Sequence, residues 1–239
     1  MRAIRKSALL FTPGLFLPAI AAAQTYNALA DWNASTNTTA NTWRYGTENT
    51  PGGSFTLFPD HNANTSSPTY DLWDLANNSS INGPFIGFNS SGGTINAGGS
   101  PNLLWPSNVL QIAPGGTNTG TPENTVLRWV APSNGSIDIT GQFSDLQQSN
   151  VALYILSNNS PIFTSSYNGS APYQPTMAFN LSDVSVSQGQ DIDFIVDSGG
   201  NDGEDAVGIS ATVTESVPEP ASLALLGIGG LIMLRRRRV

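Results

Sequence analysis

The sequence predicts an all-β fold: a single antiparallel, jelly-roll-like β-sandwich, with a β-barrel as the second choice. Three observations support this prediction. Short segments alternate between apolar and polar residues, whereas helical periodicity is hard to find. Loops rich in Asn, Ser, Gly and Pro separate these segments at the spacing of a sandwich. No repeat of fixed period occurs, which excludes solenoids and propellers.

The clearest strands lie on either side of residues 131–135, a turn sequence that contains Pro132 and ends in Asn-Gly. Residues 126–130 form a β-branched and aromatic run. Residues 137–143 alternate apolar and polar side chains, as a half-buried strand does. We therefore predict that these two strands form a hairpin.

A second hairpin is predicted from residues 151–156 and 162–166, joined by the turn Ser-Asn-Asn-Ser. Further alternating segments follow the second hairpin up to the end of the body of the chain, which is residues 24–214. Less regular segments precede the first hairpin. The additional predicted strands cover residues 42–45, 55–58, 70–75, 85–88, 109–112, 177–181, 192–196 and 207–213.

The composition excludes several classes of function. The chain has no cysteine, so disulfides, thiolate catalysis and cysteine-based zinc sites are absent. Residues 24–216 contain two basic and sixteen acidic side chains, a formal charge of −14. Such a surface repels phosphate, so we expect no nucleic-acid partner. About 190 residues suffice for one domain with a single core.

The N-terminus predicts a cleaved signal peptide over residues 1–23. Arg2, Arg5 and Lys6 form a positive region, and an apolar stretch follows at residues 8–20. Three alanines then precede Gln24, which satisfies the small-residue rule for cleavage. The chain is therefore expected to leave the cytoplasm.

The C-terminus predicts a short transmembrane helix at residues 221–234. Fourteen residues span about 21 Å as a helix, which is less than a hydrocarbon core of about 30 Å. Four arginines follow and act as a cytoplasmic stop signal. A weak permanent anchor is one interpretation, and transient anchoring in the inner membrane until the chain is processed is the other.

The order of these C-terminal features resembles the PEP-CTERM sorting signal. The triplet corresponds to Pro218, Glu219 and Pro220, and the basic cluster to Arg235, Arg236, Arg237 and Arg238. The resemblance implies an exported bacterial protein that an exosortase, a membrane protease-transpeptidase, processes near the triplet. It also implies delivery to the cell surface or extracellular matrix, often with exopolysaccharide or biofilm. The predicted organisation is a signal peptide at 1–23, a sandwich at 24–214 and a sorting signal at 215–239.

The body has a resemblance of its own. The segments NTWRYG, YDLWDL, VLRWVAPSNGSIDITGQFS and VSVSQGQDIDFIVDSGGN occur in this order, and the resemblance that they carry covers most of residues 42–214. They resemble an uncharacterised β-sandwich ectodomain common among exported bacterial proteins with such tails, and are also similar to carbohydrate-binding modules. The resemblance implies the fold and assigns no catalytic residue.

No catalytic constellation is predicted. His61 is the only histidine, and we expect it to be a solvated loop residue. The nucleophile elbow G-x-S-x-G is absent. Acidic residues could serve glycoside hydrolysis, but the sequence does not place any two at the required separation. We therefore predict a protein that is not an enzyme.

An acid-rich segment near the end of the body is the candidate metal site. Calcium takes six to eight oxygen ligands in a flexible shell, although the spacing here is not that of an EF-hand. An acidic solvated loop is the alternative. The candidate calcium ligands are Asp191, Asp193, Asp197, Asn201, Asp202, Glu204 and Asp205.

Aromatic residues in the first half of the body are the candidate carbohydrate-binding residues, because their faces can stack on sugar rings. These are Trp43, Tyr45, Trp73 and Trp105. Burial in the core is the competing role for each.

Three functions remain open at this point. The leading hypothesis is an exported, non-enzymatic surface or matrix protein. The second is a carbohydrate-binding module, with polysaccharide as its partner. The third is a polysaccharide-active hydrolase or lyase.

Overall fold

The computed structural model describes residues 23–66, 69–75, 83–99, 102–115, 124–169, 175–199 and 205–216. Residues 1–22 of the predicted signal peptide and residues 217–239, which include the predicted transmembrane helix, lie outside them. Within the described part, Gln24–Ser216 is one compact unit. None of the described segments is a helix with the length and apolar character that crossing a membrane requires.

Sixteen strands form within these ranges. They are β1 (Thr25–Asn27), β2 (Trp43–Glu48), β3 (Thr56–Leu57), β4 (Asp60–Asn64), β5 (Tyr70–Asp74), β6 (Phe85–Asn89), β7 (Ile95–Gly99), β8 (Asn102–Trp105), β9 (Leu110–Ala113), β10 (Asn124–Val130), β11 (Gly135–Asp145), β12 (Ala152–Ser157), β13 (Ser160–Ser166), β14 (Thr176–Val186), β15 (Asp191–Asp197) and β16 (Val207–Glu215).

The strands build two main antiparallel sheets. The eight-stranded sheet has the order β14-β11-β16-β9-β6-β5-β4, and β1 pairs with β16 beside this path. The six-stranded sheet has the order β13-β12-β15-β10-β2-β3, and β7 and β8 form a separate pair. The predicted all-β, antiparallel sandwich is confirmed.

The core lies between the two main sheets, where alternate side chains of each meet. The six-stranded sheet contributes Leu127, Trp129 and Phe194, and the eight-stranded sheet contributes Phe143 and Ile209. All five are fully buried. At about 25 cal/mol per Å² of apolar area, such burial is the main stabilising contribution in a chain without disulfides.

The first predicted hairpin is wrong, because its two strands belong to different sheets. β10 pairs with β2 and β15, whereas β11 pairs with β14 and β16. The intervening turn therefore carries the chain from one sheet to the other. Alternation and a turn sequence identify two strands, but they do not determine whether those strands pair.

The second predicted hairpin is confirmed, since β12 and β13 pair directly from Ser157 and Ser160 outward. The two central residues of its turn, Asn158 and Asn159, have φ of 48° and 64°. This left-handed conformation matches the twist of the flanking strands, and asparagine tolerates it better than most residues.

The two ends of the body meet on one strand. β1, which the sequence did not predict, pairs with the end of β16, with Thr25 opposite Thr214. The Glu215 N–H donates to the Gln24 carbonyl at 2.8 Å. The first and last residues of the sandwich are therefore held side by side.

Candidate binding site

An open cleft of about 380 Å³ lies at one end of the six-stranded sheet. Residues 150–152, 166–168 and 197–199 line it. They come together because Ala152 lies opposite both Ser166 and Asp197 in the strand register. The start of β12 and the ends of β13 and β15 therefore form its walls.

The cleft wall is lined by polar and apolar groups in comparable measure. Asp197 Oδ1 accepts a hydrogen bond from the Gly199 N–H at 2.9 Å, in a bend where Gly199 has φ of 62°. The Ser198 hydroxyl donates to the Gly115 carbonyl. Amide, hydroxyl and carboxylate groups of this kind can bind the hydroxyls of a polyol.

Tyr167 supports the cleft from within the core. Its hydroxyl donates to the Pro175 carbonyl at 3.1 Å, and its main chain exchanges two hydrogen bonds with Val151. Burial raises the pKa of the Tyr167 hydroxyl. Because the ring is buried, Tyr167 is not an exposed stacking surface.

A loop at residues 146–150 adjoins the cleft and is anchored by two carboxylates. Asp145 Oδ1 accepts from the Ser149 N–H at 2.9 Å and from the Gln147 N–H at 3.1 Å. Asp205 Oδ1 accepts from the next amide along, Asn150 N–H, at 2.9 Å. Both aspartates are buried.

The structure divides the predicted calcium ligands between the two ends of β15. Asp191 begins the strand and Asp197 ends it, a separation of about 20 Å at about 3.3 Å per residue. Asp191 and Asp197 therefore cannot ligate one ion together, and the seven-residue set is corrected in this respect. Asn201, Asp202 and Glu204 lie outside the described residues. That calcium binds stays a prediction.

Asp191 and Asp193 have a different partner in Arg128 of the neighbouring strand. Arg128 Nε and Nη2 donate to Asp193 at 2.6 and 2.8 Å, and Arg128 Nη1 lies 3.0 Å from Asp191. Burial raises the pKa of the Asp193 carboxyl, against the opposing effect of the Arg128 hydrogen bonds. The guanidinium carbon lies 4.1 Å from the centre of the Phe55 ring.

Glu48 is an unusual carboxyl that the sequence did not single out. It is 1% exposed, and its Oε1 accepts from the Gly52 N–H at 3.0 Å. Within the described ranges, neither its Oε2 nor the side-chain amide of Asn124, directly opposite on β10, has a hydrogen-bond partner. Desolvation raises the pKa of Glu48 to about 7. In the sequence, the only indication that Glu48 is unusual was its position at the polar end of β2.

The four candidate sugar-stacking aromatics are corrected by the structure, which buries all of them. Trp43 and Tyr45 lie under the six-stranded sheet, and Trp73 joins the same core. Trp105 packs in a second cluster with Tyr70 and the β7–β8 pair. None is more than 6% exposed, so their ring faces are not accessible to a sugar.

His61 also differs from the prediction. It lies in β4 and not in a loop, with Nε2 2.7 Å from Asp71 Oδ1. Its ring packs 5.0 Å from that of Trp73, measured between centroids. Trp32 Nε1 donates to the same Asp71 oxygen at 3.0 Å. These contacts give the histidine a role in packing.

Residues 216–238 match the PEP-CTERM protein-sorting motif. The match includes the triplet and the arginine cluster and begins immediately after β16, so the resemblance predicted from the sequence is confirmed. No curated protein matches the chain.

Several solved structures are weakly similar. The K3 cleaved adhesin domain of Lys-gingipain from Porphyromonas gingivalis is 11% identical, covering 73% of this chain and 91% of that one at a TM-score of 0.34. A family 35 carbohydrate binding module from Clostridium thermocellum is 15% identical, covering 50% and 83% at 0.27. A Paenibacillus cycloisomaltooligosaccharide glucanotransferase is 10% identical, covering 50% of this chain but only 16% of the enzyme, at 0.29. At these values no function follows from the similarity.

Proposed function

We propose that this chain is an exported, non-enzymatic bacterial surface or extracellular-matrix protein whose sandwich associates with exopolysaccharide after exosortase processing. The observation that carries the proposal is the PEP-CTERM motif at residues 216–238, which implies a surface protein sorted by an exosortase. The motif follows the last strand without a spacer, so processing near the triplet would release the sandwich with β16 intact. The predicted signal peptide at residues 1–23 is consistent with this route.

Intact-mass spectrometry of the protein in the producing bacterium tests the sorting step. The exported form is expected to lack the residues beyond the Pro218-Glu219-Pro220 triplet. Replacing Arg235 to Arg238 by serine should leave the tail uncleaved on the exported protein, because without the stop signal the short apolar segment is not held in the membrane, where the exosortase acts. Replacing the same residues by lysine is the matched control, since it preserves the charge. A wild-type exported protein that still carries its arginine tail would contradict the proposal.

The association with polysaccharide is supported by the cleft at residues 150–152, 166–168 and 197–199. Its open shape and the amide, hydroxyl and carboxylate groups in its lining suit hydrogen bonding to sugar hydroxyls. The core burial of Trp43, Tyr45, Trp73 and Trp105 removes the alternative of stacking on those rings. Carbohydrate binding by this sandwich is thus the second candidate function, and it uses a different surface from the one first predicted.

Gel electrophoresis of the exported protein in the presence of the producing strain's polysaccharide tests this binding. Retardation is expected for the wild type and should be lost when Asn150 and Ser166 are changed to alanine, because both side chains line the cleft. Ser160→Ala, at the other end of β13, is the control. Equal mobility of all proteins with and without polysaccharide would exclude binding, and release of reducing ends would indicate an enzyme instead.

A further inference from the structure

The outer edge of β14 is a surface that neither the sorting proposal nor the polysaccharide proposal uses. β14 pairs with β11 along one edge, and no strand of the described residues pairs with its other edge. In an edge strand, about half of the main-chain N–H and C=O groups point away from the sheet. β14 therefore presents a row of main-chain donors and acceptors to any strand that approaches it.

The other outer strands of the two main sheets have features that discourage such pairing. β3 has only two residues, β13 contains Pro161, and β4 begins with the charged Asp60. β14 has comparable features only in its second half, where Asp183 has φ of 57° and the register with β11 shifts. The stretch at residues 176–181 has no proline, charge or register shift, so this part of the edge is open.

The core is incompletely covered beside this stretch. Four apolar side chains pack against the main core but are only half-buried, namely Met177 and Leu181 of β14 and Ile162 and Phe163 of β13. The rings of Phe163 and Phe179 meet at 5.9 Å between centroids, so β13 and β14 lie next to each other at one side of the sandwich. A strand added to β14 would cover this side.

The same side of the sandwich is uncharged. Residues 146–182 include β12, β13 and the open part of β14, and they contain no acidic or basic side chain. Residues 24–216 as a whole have a formal charge of −14. Two copies of the chain therefore repel each other least when these sides face, whereas a basic partner would find no carboxylate in this run to bind. A second copy of the chain fits this surface best.

We propose that two copies of the chain pair through residues 176–181 of β14, antiparallel and about a two-fold axis perpendicular to the sheet. A free strand edge is complementary to its own copy in this arrangement, because donors and acceptors alternate along it. Asp183 of each copy lies beyond the paired stretch, and the two carboxylates are about 30 Å apart at about 3.3 Å per residue. The half-buried Met177 and Leu181 of each copy become covered by the other.

The pairing joins the eight-stranded sheets of the two copies into one. β13 lies beside β14 and ends at Ser166 in the wall of the cleft, so the dimer carries two clefts. Where the cleft binds polysaccharide, two sites in one assembly hold a repeating polymer more tightly than one site does. The pairing itself does not rest on the sorting or the polysaccharide proposal.

Sedimentation equilibrium of the full-length protein tests the pairing, in a density-matched neutral detergent that keeps the apolar C-terminal segment in solution. The wild type is expected to form a reversible dimer of twice the 25.1 kDa chain mass. Amide hydrogen exchange at residues 176–181 should slow as the protein concentration rises, because pairing uses the outward N–H groups.

Ala178→Lys and Ala178→Glu should each raise the dissociation constant of the dimer at least about tenfold, because each places like charges close to the two-fold axis. The Ala178 side chain is exposed, so both variants should fold, and if one does not, the other decides the question. Ala63→Lys and Ala63→Glu are the matched controls at an exposed alanine of β4, the opposite edge of the same sheet, and should associate as the wild type does.

Three results would overturn the proposal. The first is a wild type that stays monomeric at all concentrations. The second is a dimer that neither substitution at Ala178 weakens, which would place the contact elsewhere. The third is association that lysine strengthens and glutamate weakens equally at Ala178 and Ala63, which would show an effect of net charge alone.

Discussion

At the scale of single residues, no sequence pattern predicts which polar groups are buried in the six-stranded sheet. Arg128 and Asp193 alternate with apolar neighbours and would be assigned to a solvated face. Instead they form a buried pair covered by Phe55. Removing one member of such a pair lowers the free energy of unfolding by more than the intact pair contributes to it, because the other charge stays buried without a partner.

Glu48 leads to a prediction about pH. Its pKa is about 7 in the folded chain, against 4.5 in its ordinary state, so the folded protein holds the proton more tightly. The charged groups that act on it are Asp193 and Arg128. Stability from this group is therefore complete below about pH 4.5 and is lost as the pH rises to about 7.

Glu48→Gln should remove this pH dependence, because glutamine keeps the shape but not the charge. Relative to the wild type, the variant should gain about 1–3 kcal/mol in free energy of unfolding between pH 5 and pH 8. Urea unfolding at one-unit intervals measures the difference, with Asp183→Asn as the control for an exposed carboxyl. A difference that does not change with pH would show that Glu48 titrates normally.

At the scale of elements, β11 shows how closely neighbouring strands approach. A Cβ atom on Gly141 would collide with the Ser210 carbonyl oxygen of β16 and lie 2.7 Å from the Phe179 ring of β14. Phe179 packs against Phe143 and Phe194, so the ring has little room to withdraw. Close packing against β14 and β16 therefore explains why this alternating strand has a glycine at position 141.

Gly141→Ala should lower the free energy of unfolding by about 1–3 kcal/mol, because the added methyl group overpacks the strand. Gly135→Ala is the matched control at the start of the same strand, where an added Cβ meets nothing within 4 Å. It should change stability by less than about 0.5 kcal/mol. Chemical denaturation of both variants measures the effect, and equal stabilities would refute the packing argument.

The hairpins show which elements could be predicted. The turn between β12 and β13 requires a left-handed backbone at two positions. Two consecutive asparagines predict that conformation from the local sequence alone. The turn before β11 looks equally suitable, but β10 is buried on both faces and lies between β2 and β15. Its partners are thus determined by burial and not by the adjacent turn.

At the scale of the whole molecule, the three-residue strand β1 closes the fold. Tyr26 of β1 is buried, with its ring edge-on to Trp129 of the opposite sheet at 5.5 Å between centroids. β1 also holds the end of β16, immediately before the sorting motif. The N-terminal strand therefore stabilises the segment from which the tail departs.

Tyr26→Ala should lower the free energy of unfolding by about 3 kcal/mol, because it leaves a cavity between the sheets. Thr25→Ala, an exposed neighbour on the same strand, is the control and should stay within about 0.5 kcal/mol. Urea unfolding gives both values. A loss below 1 kcal/mol for Tyr26→Ala would mean that β1 contributes little to the fold.

The sequence by itself determined the properties that depend on local pattern. Alternation indicated which side chains face the core, the absence of cysteine excluded disulfides, and the order of triplet, apolar stretch and arginines indicated the sorting motif. Only the tertiary structure decided which strands are neighbours, and therefore that Arg128 meets Asp193 and that the candidate sugar-binding aromatics are buried. It also decided that Asp145 and Asp205 bind adjacent amides of one loop. The physical reason is that a period of two specifies a face of a strand, whereas pairing and burial depend on residues far apart in the chain.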